Sequence, residues 1–468
     1  MRRAAWWVAM LALVVLGVGC KSLKPGECRK DNDCSGQVKG GLPACYKEPP
    51  EAELGRCMTV KEAREARDRF EARKSGLCED RDNDGAKAGP ACDPKLDGVL
   101  DCDDADPAVK AGATEVCDGK DNNCDGRMNE GLPQCVSTVL GGKQNPVMHF
   151  MTNMTNGVRV TAGGEVWVTD EHQIYRVGTD GKPTRVAGSE KPGNDDKQGK
   201  FARFDKPRGI AVGPDGSVFI TDCNNNCIRR LSAEGQASVY AGKCSSEADD
   251  TGLDKDGGWQ DARFYSPVDL TFDKDGNLLV VDMLNSKIKL IDKNTREVKT
   301  IAGRGGKDTT EGVVFGMSNG PAKQAEFNEP AGIAVGPGGE VYIADQKNNC
   351  IRLLKGGQVS TFAGVCAPGK DKGGHKDGPA AAARFLLPNA VDVAPDGSVV
   401  VADTGNHVIR RIAGGQVTTV AGKPGQQGYY DGAIGDALFN EPQSVSVGKD
   451  GSIYVVDHGN YRVRRIAP

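Results

Sequence analysis

One pattern recurs along the C-terminal part of this 468-residue chain and limits what the chain can fold into. In its clearest copy, residues 385–422, four short apolar runs are separated by turn-forming residues at 395–397 (PDG), 404–406 (TGN) and 414–415 (GG). Glycine and asparagine tolerate positive φ, and proline presets a turn, so each separator predicts a tight turn. The copy therefore predicts a four-stranded antiparallel meander.

A few positions identify the further copies of this meander. Phe and Pro, three residues apart, open five copies, at Phe204/Pro207, Phe264/Pro267, Phe327/Pro330, Phe385/Pro388 and Phe439/Pro442. An Asp closes the second predicted strand of six copies: Asp170, Asp222, Asp282, Asp345, Asp403 and Asp457. Seven residues later, five copies carry Arg or Lys: Arg229, Lys289, Arg352, Arg410 and Arg464. Because one four-stranded sheet cannot bury its faces alone, the repeat predicts sheets stacked radially around an axis.

The resemblance to a known family rests on residues 403–412, DTGNHVIRRI, which are similar to the signature of an NHL repeat. NHL repeats form six-bladed β-propellers, and the resemblance extends from about Val136 to the C-terminus. It implies an all-β, six-bladed propeller over 136–468. The residues before it, taken up below, predict small disulfide-rich modules and a short helix. It does not imply a function, because propellers carry both enzymes and binding scaffolds.

The sixth copy raises the question of how the ring closes, because its third predicted strand is followed by no fourth. An unpaired strand edge is a liability for a soluble protein. Residues 136–141 (VSTVLG) read like the fourth strands at 359–364 (VSTFAG) and 417–422 (VTTVAG). We therefore expect 136–141 to be the outer strand of blade six, pairing with 461–467. A plain linker at 136–141 and a three-stranded blade six are the alternative.

Four cysteines occupy matching places in two copies. Cys227 and Cys350 begin third strands, and Cys244 and Cys366 follow the fourth strands of the same copies. Neighbouring antiparallel strands bring such ends within the distance that a disulfide requires. The alignment therefore predicts disulfides between Cys227 and Cys244 and between Cys350 and Cys366. Cys223 has no counterpart and is expected to be a free thiol.

Sixteen cysteines are abnormal for a reducing cytosol and indicate export. At the N-terminus an apolar run from Trp6 to Val18 is too short to span a bilayer and predicts a signal peptide over 1–19. The run ends in GVGC, which resembles a bacterial lipoprotein cleavage box with Cys20 as the acylated residue. An outer-membrane or cell-surface lipoprotein is the prediction. Ordinary secretory cleavage, giving a periplasmic or secreted protein, is the alternative.

Two small segments follow the predicted signal peptide. Residues 20–57 contain Cys28, Cys34, Cys45 and Cys57 and are too few to bury a core, so two disulfides of open connectivity are expected. Residues 58–76 predict a spacer helix. Thr59 and Glu62 form a capping box there, and Gly76 is placed to stop the helix.

Residues 78–135 form an acidic, cysteine-containing segment. Asp80, Asp82 and Asp84 alternate before a glycine, as in the first half of a calcium loop, although Ala91 stands where an EF-hand has Glu. A second group of carboxylates follows: Asp101, Asp103, Asp104 and Asp106. The segment resembles a bacterial surface repeat described as metal-binding and named for a copper protein. Hard oxygen ligands without histidine suit Ca²⁺ better than copper, so calcium is the expected cofactor. The alternative is a disulfide-stapled acidic turn segment that binds nothing.

Long connections separate the fourth strand of one copy from the first strand of the next, at 243–261, 304–324, 365–382 and 423–436. In a meandering blade they emerge on the same face as the turns after each repeated Asp, and they hold four aromatic residues: Trp259, Phe315, Tyr429 and Tyr430. Because loops on a rigid scaffold commonly carry binding, these residues predict a face for a protein, peptide or glycan ligand. The net charge of −4 gives no bulk attraction to nucleic acid.

The repeated Asp and Arg residues are expected to fix turns and pair within each blade, because a catalytic site needs asymmetry and these residues recur. The five histidines offer a zinc site as the alternative, although only His172 and His458 lie near one turn level. The sequence therefore predicts an exported, lipid-anchored binding scaffold that is not an enzyme. The alternative is a metal-dependent lyase or lactonase that uses the propeller channel. Carboxylates and histidines in the channel would favour the enzyme, and Val, Ala and Gly the scaffold.

Overall fold

The chain divides into two units, Met1–Ala113 and Thr114–Pro468. The computed structural model describes residues 27–28, 43–46, 55–59, 108–117, 120, 122–124, 132, 134–141, 155–179, 181–245, 254–305, 307–308, 312–313 and 315–468. The predicted signal peptide, Cys20 and most of the predicted spacer helix lie outside these residues. None of the helices within them is long and apolar enough to cross a membrane.

The N-terminal unit contains a small antiparallel sheet made from parts of the first cysteine module. Its strands are Glu27–Cys28, Pro43–Tyr46 and Gly55–Thr59. Gly55–Thr59 lies in the centre, and its Cys57 lies directly opposite Cys45 of Pro43–Tyr46.

The second unit is a propeller of six antiparallel blades, which confirms the fold expected from the repeat. The strands of blades one to three, in chain order, are Thr155–Val160, Val166–Asp170, Gln173–Val177 and Pro183–Gly188; Pro207–Val212, Val218–Asp222, Cys227–Leu231 and Ala237–Ala241; and Pro267–Phe272, Leu278–Asp282, Lys287–Ile291 and Val298–Ala302. Those of blades four to six are Pro330–Val335, Val341–Asp345, Cys350–Lys355 and Gln358–Ala363; Pro388–Val393, Val399–Asp403, Val408–Ala413 and Gln416–Ala421; and Pro442–Val447, Ile453–Asp457, Arg462–Ile466 and Cys135–Gly141.

Short elements complete the connections between these strands. Two-residue strands add to the outer edges of blades four, five and six, at Gly320–Pro321, Gly378–Pro379 and Gly432–Ala433. Lys307–Asp308 and Gly312–Val313 pair with each other. The 3₁₀ turns are Gly199–Phe201, Met283–Asn285, Gln346–Asn348, Lys370–Lys372, Ala380–Ala382, Thr404–Asn406 and His458–Asn460.

The first strand of each blade lies innermost and contacts the first strands of both neighbouring blades, so the ring is closed from blade six to blade one. The core lies between the blades, where the repeated phenylalanines are at most 1% exposed. Each of these inner strands after blade one is preceded by a residue with positive φ just before its proline: Lys206, Ser266, Glu329, Leu387 and Glu441, with φ between 46° and 52°.

Side chains from the preceding blade accept the N–H group at several of these bends. Asn226 Oδ1 accepts from Ser266 N at 2.8 Å, and Asn349 Oδ1 accepts from Leu387 N at 2.9 Å. A histidine takes the same position in blade five, where His407 Nδ1 accepts from Glu441 N at 3.1 Å. These bonds fix one blade to the next at the entry of these inner strands.

The closure of the ring by an N-terminal strand is confirmed. Cys135–Gly141 pairs antiparallel with Arg462–Ile466, with Val136 opposite Ile466 and Gly141 opposite Arg462. Val136 and Leu140 are buried, at 0% and 1% exposure. The strand covers the edge of blade six, and Gly432–Ala433 in turn pairs with its outer side.

Candidate functional site

The repeated Asp side chain meets the repeated Arg or Lys inside five of the six blades, as blade five shows. Asp403 Oδ2 accepts from Arg410 Nη1 at 2.7 Å and from Asn406 Nδ2 at 2.8 Å, and its Oδ1 accepts from Leu386 N at 2.8 Å. The Arg410 guanidinium lies 5.0 Å from the ring of Phe385. Buried ionic groups persist where such partners satisfy them. Four other blades repeat the buried pair, in Asp222–Arg229, Asp282–Lys289, Asp345–Arg352 and Asp457–Arg464.

A second side chain, from the connection that precedes each of blades two to six, completes this network; it is a carboxylate in four of these blades and the amide of Asn319 in blade four. In blade five, Asp377 Oδ1 accepts from Arg410 Nη2 at 2.6 Å, and its Oδ2 accepts from Thr419 N and Thr419 Oγ1, each at 3.0 Å. The connection is thereby attached to the third and fourth strands. The residues in this position are Asp196, Asp256, Asn319, Asp377 and Asp431. The expectation that the repeated charges are structural is therefore confirmed by their contacts.

The central channel narrows to a cavity of about 20 Å³ between the inner strands. Its lining is polar as well as small: Asn156, Gly157, Arg208, Gly209, Val268, Asp269, Ala331, Asn389, Ala390, Gln443 and Ser444. No histidine is among these residues, and the lining differs from the Val, Ala and Gly expected of a pure scaffold. This part of the channel admits about one water molecule.

One carboxylate lies in this channel wall. Asp269 Oδ2 accepts from Ile333 N of the next blade at 2.9 Å, and its Oδ1 accepts from Leu270 N at 2.8 Å. Burial raises the pKa of Asp269 to about 6, against the opposing effects of the Arg159 charge and of these two N–H donors. Arg159 also lies 3.4 Å from Asp392. Asp269 is therefore held by backbone donors across the seam between blades three and four.

The described histidines have separate partners. His407 Nδ1 and His172 Nδ1 each accept a backbone N–H from the next blade, and His375 Nε2 lies 2.8 Å from Thr419 Oγ1. Burial lowers the pKa of His407 and that of His375. Within the described segments, no group of three or more His, Cys, Asp or Glu side chains is placed to hold a metal ion. His149 lies outside those segments.

The seven carboxylates assigned to calcium lie outside the described residues: Asp80, Asp82, Asp84, Asp101, Asp103, Asp104 and Asp106. Of the C-terminal part of the acidic repeat, residues 108–117, 120, 122–124, 132 and 134–135 are described, and side-chain hydrogen bonds connect two of these stretches. Glu115 Oε1 accepts from Asn123 N at 2.8 Å, and Asn122 Oδ1 accepts from Val116 N at 3.0 Å. Asn122 is fully buried.

Three of the long connections begin beside the turn that follows the repeated Asp, as the backbone bonds from Ser245 N to Asn225 O, from Ala367 N to Asn348 O and from Gly425 N to Asn406 O show. Each descends along the outer strand of the next blade and pairs with its beginning, as in Gly257 with Val298 and Gly432 with Val136. This path covers the edge of the outer strand, which an excursion on the channel face would leave open.

The four aromatic residues differ in accessibility. Phe315, Tyr430 and Tyr429 are exposed, at 47%, 42% and 38%. Trp259 is partly buried: the Arg296 guanidinium lies 3.7 Å from its ring, and it packs in the cluster of Tyr240 and Phe272. It is therefore a packing residue and a poor candidate for ligand contact. Burial and the charge of Asp431 raise the pKa of Tyr429, whose hydroxyl donates to Asp431 Oδ2 at 3.0 Å.

Disulfides join Cys227 to Cys244 and Cys350 to Cys366, with Cα–Cα distances of 5.1 and 5.0 Å, and these are the pairs that the alignment predicts. Cys223 is a buried free thiol, as expected, with Sγ 3.1 Å from Ser266 Oγ. A third disulfide, between Cys117 and Cys135, was not foreseen. It ties the acidic repeat to the strand that closes the ring. In the sequence, the one indication of this disulfide is that Cys135 immediately precedes the expected closing strand.

Comparisons with known proteins agree with this architecture. The model of the Teneurin NHL domain matches residues 180–413, that of the NHL repeat matches residues 439–466, and a metal-binding-motif model matches residues 29–39 and 101–130. Two solved structures from Bacteroides thetaiotaomicron share the fold. One, of a structural genomics target, has a TM-score of 0.52 and 19% identity, covering 71% of this chain and 75% of its own. The other, of an auxiliary nutrient binding protein, has a TM-score of 0.50 and 17% identity with the same coverage.

Curated relatives share parts of the propeller. NHL repeat-containing protein 2 of Homo sapiens is 29% identical over 227 residues, which is 43% of this chain and 30% of that protein. Teneurin-4 of Homo sapiens is 26% identical over 357 residues, covering 66% of this chain and 12% of that protein. The chain thus spans at most about a third of these relatives. Because the Teneurin NHL domain model covers residues 180–413, half of the chain, this protein belongs to that family of NHL-repeat propellers.

Proposed function

We propose that this protein is an exported binding scaffold, anchored by a lipid at Cys20, whose propeller presents a ligand-binding surface on its long connections. The ligand is a protein, peptide or glycan that contacts the exposed aromatics Phe315, Tyr429 and Tyr430. Scaffolded loops are the usual place for such binding, and exposed aromatic side chains contribute much of the energy at interfaces. The acidic repeat binds Ca²⁺ and joins the propeller to the anchor.

The observation that carries this proposal is the constriction of the channel to about 20 Å³. A lyase or lactonase acting in the channel would need room for its substrate, and ligand sites generally occupy about 300–1,000 Å³. The recurring Asp and Arg side chains also already form hydrogen bonds with each other within the blades, as Asp403 does with Arg410. These two facts favour binding at the surface over catalysis in the channel.

Capture experiments with the full chain test the proposal. The wild type and a double variant, Phe315→Ala with Tyr430→Ala, are compared for retention of envelope proteins and of an array of glycans. We expect at least a tenfold loss of a specific ligand in the double variant. The control is Phe201→Ala, which removes an aromatic side chain that is 65% exposed and is assigned no role in binding. Equal retention by all three proteins would refute the aromatic surface.

Membrane attachment is tested separately. Metabolic labelling with a clickable fatty acid should mark the wild type and leave Cys20→Ser unlabelled. Equal labelling of the two would remove the anchor from the proposal, and no labelling of either would favour secretory cleavage.

A further inference from the structure

Three apolar side chains meet in a repeated arrangement at each seam between blades. Two of them come from one blade. The first is the second residue of that blade's second strand, and the other stands in its fourth strand, just before the strand's last Ala or Leu. The third is the last residue of the next blade's first strand. From the one–two seam to the six–one seam the sets are Trp167, Val186 and Val212; Phe219, Tyr240 and Phe272; Leu279, Ile301 and Val335; Tyr342, Phe362 and Val393; Val400, Val420 and Val447; and Tyr454, Val139 and Val160.

The seam between blades five and six is the one of the six in which all three residues are valine: Val400, Val420 and Val447. Each other seam has at least one aromatic side chain or, between blades three and four, Leu279 and Ile301. Short side chains on a fixed backbone leave space that larger ones would fill. A cavity of about 440 Å³ lies at this seam, and a smaller counterpart of about 320 Å³ lies beside Phe362 at the preceding seam.

The wall of this cavity is apolar and reachable from solvent. Besides the valines it contains Ile434, Ile453 and Ile466. Ile453 and Ile466 are buried, whereas Val420, Val447 and Ile434 remain partly exposed. A cavity of about 150 Å³ lined by such side chains is enough to bind benzene, so this recess has room for a larger ring system.

Two cations lie at the rim of the recess. The Arg411 side chain is 43% exposed, and Lys449 is exposed. Both side-chain carboxylates of the rim are already paired, Asp396 with Arg411 and Asp450 with Arg465. Pro468 also lines the cavity, and its carbonyl oxygen accepts from Gln134 N at 3.3 Å. Lys449 forms no ion pair within the described part of the chain, so it is available to an anionic group at the mouth.

We propose that this valine seam is a binding site for an aromatic ring that carries a carboxylate. The ring occupies the space that Tyr342 and Phe362 fill at the preceding seam, and the carboxylate lies at Lys449 with Arg411 beside it. No residue of this recess belongs to the aromatic surface formed by Phe315, Tyr429 and Tyr430. The site is therefore a second one, independent of the ligand proposed above.

The repeat itself supplies the variants that test this site. Val420→Phe introduces the residue found at the same position of blade four, Phe362, and should narrow the recess next to the three valines while the blade remains folded. Ile434→Trp fills it from the long connection, since Trp259 holds the matching place between blades two and three. Ile301→Phe makes the same kind of change at the seam between blades three and four and serves as the control.

Titration calorimetry of the full chain with indole-3-acetate is the measurement. We expect binding by the wild type and by Ile301→Phe, and at least tenfold weaker binding by Val420→Phe and by Ile434→Trp. Lys449→Gln should weaken binding of indole-3-acetate several-fold and leave binding of the neutral indole-3-ethanol unchanged. If Val420→Phe does not fold, Ile434→Trp decides the matter. Absence of binding to the wild type at millimolar ligand, or equal binding by the wild type and the filled variants, overturns the proposal.

Discussion

Thr138 donates its hydroxyl to Asp431 Oδ2 at 2.6 Å, although the two residues are 293 positions apart in the chain. The backbone N–H of Thr138 donates to the same oxygen at 3.0 Å. Asp431 Oδ1 accepts from Arg464 Nε at 2.5 Å, so one carboxylate connects the N-terminal strand, the last long connection and the last strand of the chain. Blade five has the same arrangement around Asp377 without the task of closing a ring.

Asp431→Ala should therefore destabilise the propeller more than Asp377→Ala. The Asp431 side chain is 1% exposed and that of Asp377 is 40% exposed. Loss of one partner from a buried pair costs about 3–5 kcal/mol, whereas an exposed pair contributes about 0–1 kcal/mol. Differential scanning calorimetry of both variants checks the order. Equal melting temperatures would show that ring closure does not depend on this carboxylate.

Removal of the closing strand Cys135–Gly141 should destabilise the propeller more than the loss of Asp431 does. A chain that starts at Gly142 lacks the ladder with Arg462–Ile466 and exposes the edge of blade six, so we expect a much lower melting temperature or aggregation. The matched control starts at Cys135 and retains the strand. Similar melting of the two chains would contradict the role of the strand as a latch.

His407 should make stability depend on pH. Its Nδ1 must be unprotonated to accept from Glu441 N, and burial lowers its pKa below the ordinary 6.5, against the charges of Glu441 and Asp457. A depressed folded-state pKa gives stability that is present above pH 6.5 and lost as the pH falls through the folded value. His407→Asn places there the residue that serves in blades two and four. Between pH 7.5 and pH 5, the melting temperature of the variant should fall by less than that of the wild type. Parallel losses would exclude His407 as the cause.

Asp269 should have the opposite effect of pH on stability, which should decrease as the pH rises. Its pKa is raised from 3.8 to about 6, so its contribution to stability is fully present below pH 3.8 and is lost as the pH rises through 6. Since one pKa unit corresponds to about 1.4 kcal/mol, the change amounts to at most about 3 kcal/mol. Asp269→Asn removes the titration. The stability of the wild type relative to this variant should fall between pH 4 and pH 7 in paired urea titrations, and a constant difference would contradict the assignment.

Calcium should stabilise the acidic repeat. The motivating residues are Asp80, Asp82 and Asp84 with the carboxylates at 101–106. At a Ca²⁺ concentration a hundredfold above Kd, the expected gain is about 2.7 kcal/mol. Calorimetry of the full chain checks this, with the triple change of Asp80, Asp82 and Asp84 to Asn as the control that should abolish binding. Absence of Ca²⁺ heat and of any rise in the first melting transition would refute the site.

The sequence determined the architecture because each blade is specified by local signals. Alternating strands, turn residues at fixed places and the recurring Phe, Pro, Asp, Asn and Arg all lie within about 60 residues of one another. Alignment of the copies was enough to predict the propeller, the closing strand at 136–141 and the pairs Cys227–Cys244 and Cys350–Cys366.

Only the tertiary structure decided what lies between the blades. The long connections run along the outer strands because the backbone groups at those edges would otherwise be unpaired. No local sequence pattern indicates this path. The narrow channel depends on how closely six inner strands approach one another. The cavity at Val400, Val420 and Val447 exists because three positions, far apart in the chain and belonging to two blades, pack together. Periodicity specifies each strand, whereas packing across a seam depends on side chains that meet only when the ring has closed.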